Sequence, residues 1–167
     1  MTTLICHTAS SREAQAAGYA LAQVLVGGDL VSLQGDLGAG KTTTTVGIAK
    51  GLGATSTVRS PTFTFLHHHR LSGVAEELLH VDLYRLEDES ELEGLGLFDL
   101  MDDETVVVVE WMERAGEQLP PASVTVEIVH LGEERREVAI TLDVARSHAT
   151  SKALEGQGFT VTLRGDQ

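Results

Sequence analysis

Apolar residues first gather in Leu4 to His7, a segment of strand length. Ser10 and Ser11 followed by Glu13 make a helix-start signature. Apolar residues recur at helical spacing from there to Val26, before Gly27-Gly28 closes the segment. Leu30 to Gln34 predicts a short strand, and the glycine-rich stretch Gly35 to Gly40 leads into a second helix ending near Gly51 and Gly53. Phe63 to His69 and Glu77 to Leu83 read as two strands around a turn at Ser72-Gly73, and Asp88 to Leu95 as a helix capped by Asp88 or Ser90. Val106 to Val109 is apolar at every position, the pattern of a strand covered on both faces. After Pro120-Pro121, Val124 to Val129 and Arg136 to Leu142 alternate like hairpin strands with one face exposed. The tail from Ser147 to Gln167 predicts a short helix and a last strand, Phe159 to Leu163. The sum is an α/β fold: a mixed, partly parallel sheet with antiparallel additions at the C-terminal end.

With 167 residues and no Pro/Gly linker or repeat, the chain is expected to form one domain spanning residues 1–167. Hydrophobic residues at 42% and charged residues at 22% exclude a disordered chain, and no apolar run reaches the length of a membrane span. Met1 to Ser10 has no basic region followed by a long apolar stretch, so no secretory signal is read there. The single cysteine, Cys6, rules out an internal disulfide and is expected to be a small buried hydrophobe. A reducing, cytoplasmic setting is the expectation. The net charge of −13, with lysine only at 41, 50 and 152, leaves no basic face for phosphate backbones. Contact with nucleic acid is therefore expected only indirectly, through a partner.

The chemistry is concentrated in Gly35-Asp36-Leu37-Gly38-Ala39-Gly40-Lys41-Thr42, which meets the G-x-x-x-x-G-K-[ST] pattern of a P-loop at every required place. In a chain of this composition a chance match is expected on the order of 0.01 times or less. Glycines let successive N–H groups curl toward phosphate oxygens, and the helix that begins at Lys41 adds its positive end. Lys41 supplies a cation for the β- and γ-phosphates, the Thr42 hydroxyl is a ligand for Mg²⁺, and Thr43 offers a further donor to the inner phosphates. Such a loop needs a carboxylate near the metal at the end of a neighbouring strand. Asp82, after Leu78-Leu79-His80-Val81, and Glu110, after Val106 to Val109, both qualify. Asp82 is expected to hold a magnesium-bound water, and Glu110 to ligate the metal or orient the attacking water. The bland alternative for each is a solvated strand end.

The sequence contains no asparagine and hence no Asn-Lys-x-Asp guanine reader, which favours ATP. Arg59, Arg70 and Arg85 leave open a P-loop kinase that clamps a small anionic acceptor, and a nucleotide-dependent binding module is a third reading. His67-His68-His69 is not expected to form a metal site, because consecutive strand residues point to opposite faces.

Four blocks in order, Gly35 to Thr43, Ser60-Pro61-Thr62-Phe63, His80-Val81-Asp82-Leu83-Tyr84-Arg85-Leu86 and Glu110-Trp111, closely resemble the bacterial TsaE family, the small ATPases of tRNA threonylcarbamoyladenosine biosynthesis. The resemblance runs from about Ser10 to Leu142. It implies weak ATP hydrolysis and two partners, a TsaD-like transferase and a TsaB-like protein, with the ATPase needed for repeated turnover rather than for the transfer itself. It also implies that Lys41 and Thr42 bind phosphate and magnesium, that Asp82 and Glu110 form the metal and water site, and that Ser60-Pro61-Thr62 is a switch-like segment with Thr62 as γ-phosphate sensor. Ser10 and Ser11 would lie by the adenine. Tyr84 and Arg85 match the family's motif without an assigned role.

Overall fold

The computed structural model describes residues 1–164. Strand β1 (Thr2–Thr8) is followed by helix α1 (Ser11–Ala22), strand β2 (Leu30–Gln34) and helix α2 (Lys41–Gly51). Strands β3 (Leu66–Arg70) and β4 (Glu77–Asp82) precede two single-turn helices, α3 (Glu91–Gly94) and α4 (Leu97–Leu100). Strand β5 (Thr105–Glu110) runs into a 3-10 turn, Met112–Ala115, and then come β6 (Val124–Gly132), β7 (Arg135–Leu142), helix α5 (Val144–Gly156) and β8 (Thr162–Arg164).

Among the described residues these strands form one mixed sheet in the order β3-β4-β5-β2-β6-β7-β1-β8. Its centre, β4-β5-β2-β6, is parallel, and β3 and β7 add antiparallel on either side. The hairpin expected at the C-terminal end is present, but its first strand, β6, is also the fourth parallel strand, paired with β2. The N-terminal β1 lies between β7 and β8, so both ends of the chain complete the antiparallel side.

The valine run of β5 is buried on both faces. Val106 and Val108 belong to the core shared with α1 and α2, while Val107 and Val109 pack with Leu79, Val81, Leu92 and Leu97 in a second core on the opposite face. Each fully buried valine side chain contributes about 1.5 kcal/mol or more, which offsets the desolvation of the carboxylate that ends the strand. Alternation along β4 and β5 then fixes direction. Asp82 follows the parity of Leu78, and Glu110 that of Val106 and Val108, so both point to the α2 side.

The Ser10 hydroxyl accepts the Glu13 N–H at 3.1 Å, as its sequence pattern predicts, and the start of α1 is thereby set. Helix α1 lies so close to α2 that a Cβ at Gly47 would overlap the main chain of Gln15. This contact brings the first turn of α1 beside the glycine-rich loop.

Boundaries differ from the sequence reading where side chains capture the main chain. Helix α1 stops at Ala22 rather than Val26, and the Asp29 carboxylate accepts the Val26 N–H at 2.8 Å to close the turn. The strand expected from Phe63 starts only at Leu66. Pro61 to Phe65 forms a turn in which the Thr64 N–H donates to the Pro61 carbonyl at 3.0 Å, and Phe65 is left-handed at φ 63°. The helix expected over Asp88 to Leu95 is shortened to α3, and Gly96 at φ 68° separates it from α4, which lies beyond the expected segment. The tail helix starts early, at Val144, because Asp143 caps it, and the last strand is Thr162–Arg164; residues 165–167 of the tail lie outside the described residues.

Candidate functional site

Residues 35–40 link β2 to α2 at the carboxyl end of the parallel strands. Gly38 (φ 79°) and Gly40 (φ 110°) take left-handed conformations that β-carbon-bearing residues avoid, and a Cβ on either would project into open space. The loop thus presents bare main chain. Helices α1 and α5 have side-chain caps, from Ser10 and Asp143, whereas α2 begins at Gly40 with none. Its first N–H groups and its positive end are left for an external anion.

Lys41 is buried, and its ammonium donates to the Gly35 carbonyl at 2.6 Å and the Asp36 carbonyl at 2.8 Å. It also lies 4.3 Å from the ring centroid of Trp111. Burial lowers its pKa from the ordinary lysine value, and the carboxylates of Glu110, Asp82, Glu113 and Asp36 oppose that shift. A desolvated cation whose hydrogen bonds go only to neutral carbonyls is suited to a phosphate oxygen.

Asp82 and Glu110 are direct register partners across β4 and β5, each 3% exposed, which removes the solvated strand end as a description of either. Glu110 Oε1 accepts two hydrogen bonds, from the Thr42 hydroxyl at 2.9 Å and from His80 Nε2 at 2.7 Å. Asp82 accepts the Thr62 hydroxyl through Oδ2 at 2.8 Å and the Tyr84 N–H through Oδ1 at 2.9 Å. With the Thr62 proton so engaged, the Ser60 hydroxyl at 2.7 Å is the donor to Thr62. One chain of contacts therefore joins the loop helix, the two strand ends and the Pro61 turn.

A cavity of about 300 Å³ lies over this chain, lined by Leu37, Gly38, Gly40, Lys41, Thr42, Thr43, Ser60, Thr62, Asp82, Tyr84, Glu110 and Trp111. Every one of these residues is among those singled out from sequence. Asp36 contributes its main-chain carbonyl to Lys41 but does not line the cavity, and neither do Arg59, Arg70 and Arg85. Ser11 and Ala39 are on the other side of the loop, in a smaller cavity of about 100 Å³ with Thr8, Ser10, Thr43 and Arg136.

Two carboxylates and a hydroxyl are hard oxygen donors, and among the described residues no three His, Cys, Asp or Glu side chains converge as a metal cage. That set fits Mg²⁺, which takes one or two protein carboxylates and fills its shell with water and phosphate oxygen. The histidine triplet is divided. The His67 and His69 rings meet edge to face at 6.3 Å, whereas His68 lies 3.6 Å from Glu77.

His80 is the participant that sequence reasoning left without a role. It is fully buried, and its signals were its place two residues before Asp82 on the same strand face and its position at the head of the His80 to Leu86 block. Trp111, which follows Glu110, is half-buried at φ 59° and packs 5.1 Å from the Tyr84 ring.

The architecture is that of a mixed α/β protein like Bacillus subtilis YdiB. The crystal structure of that protein superposes with a TM-score of 0.74 at 33% identity, covering 95% of this chain and 98% of the other. The model of the family described as Threonylcarbamoyl adenosine biosynthesis protein TsaE matches residues 8–138. The Bacillus subtilis protein named tRNA threonylcarbamoyladenosine biosynthesis protein TsaE is 42% identical over 141 residues, which are 84% of this chain and 87% of that one. The Streptomyces coelicolor protein of the same name is 48% identical over 103 residues, 61% of this chain and 69% of its own. The chain belongs to the TsaE family, and the resemblance read from its four motif blocks is borne out. No helix among the described residues is long and apolar enough to cross a membrane.

Proposed function

We propose that this protein is a cytoplasmic ATPase subunit of tRNA threonylcarbamoyladenosine formation, binding ATP with Mg²⁺ at the Gly35–Thr42 P-loop and hydrolysing it to sustain turnover of a TsaD-like and TsaB-like transferase complex. The relatives' names supply the pathway. The observation that carries the site is the contact of Thr42, at the start of the loop helix, with the buried Glu110 beside Asp82. Loop N–H groups and the uncapped start of α2 receive the phosphates, and Lys41 exchanges its two carbonyl partners for phosphate oxygens. Thr42 and Glu110 would hold the magnesium, with Asp82 retaining a water of its shell. When bound, that ion neutralises phosphate charge and aligns the terminal phosphoryl group. Trp111 and Tyr84 limit water access from the strand-end side, and Ser11 borders the opposite side of the loop, where the nucleoside extends. Thr62, tied to Asp82, reports the γ-phosphate to the Pro61 turn. The whole chain serves as one domain, and tRNA is reached only through the partners.

An independent kinase is less well supported, because none of Arg59, Arg70 and Arg85 lines the cavity where an acceptor would need clamping. The test uses the only tryptophan of the chain, Trp111, which lies against Lys41. Its emission should change on titration with ATP and Mg²⁺, the change should vanish in Lys41→Ala, and hydrolysis should rise on adding the two partners but not small-molecule acceptors. No response to nucleotide would remove the ATPase reading.

A further inference from the structure

Beside the strand-end cavity is a second, open groove of about 710 Å³, walled by Phe63, Phe65, Tyr84, Arg85, Leu86 and Arg114, with Glu87 as its only carboxylate among the described residues. Two features set it apart from the rest of the surface. Phe63 is 78% exposed, more than any other large hydrophobic side chain among the described residues. The Arg85 guanidinium stacks 4.2 Å from the Phe63 ring centroid, and that of Arg114 stacks 5.4 Å from Tyr84 and 5.9 Å from Trp111.

Neither arginine has a carboxylate partner among the described residues, although the chain carries 25 acidic side chains against 12 basic ones. Arg114 spends one N–H on the Leu86 carbonyl at 3.4 Å. A guanidinium stacked on a ring is held flat with its N–H edges free, the arrangement that receives a carboxylate in a bidentate pair. Exposed aromatics together with arginine are also the side chains that dominate protein–protein hot spots.

We propose that this groove docks an acidic segment of a partner protein, its carboxylates on Arg85 and Arg114 and an apolar side chain against Phe63. The proposal rests on the reading of the chain as a partner-dependent ATPase and assigns that partner its surface. A phosphodiester backbone fits less well, since two guanidinium groups beside Glu87 on a chain of net charge −13 cannot neutralise a run of phosphates. The position of the groove gives docking access to the nucleotide site. Tyr84 lines both cavities and donates its N–H to Asp82, Phe63 follows Thr62, which is bonded to Asp82, and Trp111 connects Arg114 to Lys41. A change of contacts at Thr62 therefore re-aims Phe63, and docking depends on the nucleotide held.

The experiment titrates the purified TsaD–TsaB-like complex of the same genome into the full-length protein with ATP and Mg²⁺, comparing wild type, Phe63→Ala and Arg85→Glu. Each variant should bind the complex about ten-fold or more weakly, as expected for a central anchor residue. Both should keep wild-type thermal stability and wild-type ATP affinity in isolation. If wild type binds and both variants match it, the groove is not the docking surface, while the partner-dependent reading stands. If wild type does not bind the complex at all, that reading falls and takes the groove with it. Tight, steeply salt-dependent binding of tRNA alone that is lost in Arg85→Glu would assign the groove to RNA and overturn the protein-segment proposal.

Discussion

His80 donates from Nε2 to Glu110 Oε1 at 2.7 Å, with the imidazole wholly buried and Nδ1 without a partner among the described residues. A hydrogen bond to a charged group contributes about 1.5–3 kcal/mol, so this pair holds the carboxylate in place against its desolvation. His80→Leu should lower unfolding free energy by about 1–3 kcal/mol, with the orphaned Nδ1 of the native residue tempering the loss. A double-mutant cycle with Glu110→Gln, measured by urea denaturation, should give a coupling of about 1 kcal/mol or more. Additive effects would show that the contact does not hold Glu110.

Asp82→Asn and Glu110→Gln keep shape and remove charge at the two strand ends. Both should retain much of the nucleotide affinity, which on the proposed function comes from the loop N–H groups and Lys41, yet lose hydrolysis by about 100-fold or more. Affinity should also lose most of its Mg²⁺ dependence in Glu110→Gln, the carboxylate bonded to Thr42. Normal hydrolysis in either variant would reduce that residue to a buried structural acid.

Thr62→Ala removes the hydroxyl that donates to Asp82 at 2.8 Å and accepts from Ser60 at 2.7 Å. Loss of one such contact shifts a poised two-state turn by about 1 kcal/mol, or five-fold, and by more where the partner is charged. ATP affinity should change little, while ATP-dependent support of tRNA modification falls several-fold. Equal losses of affinity and of support would make Thr62 an ordinary binding residue.

Cys6 sits at 0% exposure on β1, paired with Val138 of β7, and burial pushes its thiol pKa up to about 12. Thiolate is the reactive form, so labelling at pH 8 should follow opening of the sheet and accelerate in urea. Labelling of the native protein at the rate of a free thiol would contradict this packing.

The loop motif and both carboxylates were legible in the sequence because their constraints are local: glycine spacing, a helix start, and acids ending apolar strands. Their convergence followed from parallel pairing, which the all-valine run of β5 implied. The sheet's far side was not legible in the same way. β6 alternates like a hairpin strand yet also pairs parallel with β2, and nothing near β1 in the sequence states that it lies between β7 and β8. The second half of the Pro61 turn, from Phe63, reads as strand in the sequence, since the left-handed Phe65 that delays the strand to Leu66 has β-forming neighbours. His80 heads a motif block, but its contact was not legible because alternating residues on a buried strand are ordinarily core, and only the register with β5 puts it against Glu110.

The proposed role of Lys41 is nucleotide turnover that sustains a tRNA-modifying complex without performing the transfer. Its most direct test counts threonylcarbamoyladenosine formed per TsaD-like molecule in a reconstitution with the TsaB-like protein, tRNA, the threonylcarbamoyl donor and ATP. Wild-type protein should carry the complex through many rounds. Lys41→Ala, which strips the loop of its buried cation, should leave the count near one per transferase. Many rounds with Lys41→Ala, or with this protein omitted, would contradict the account.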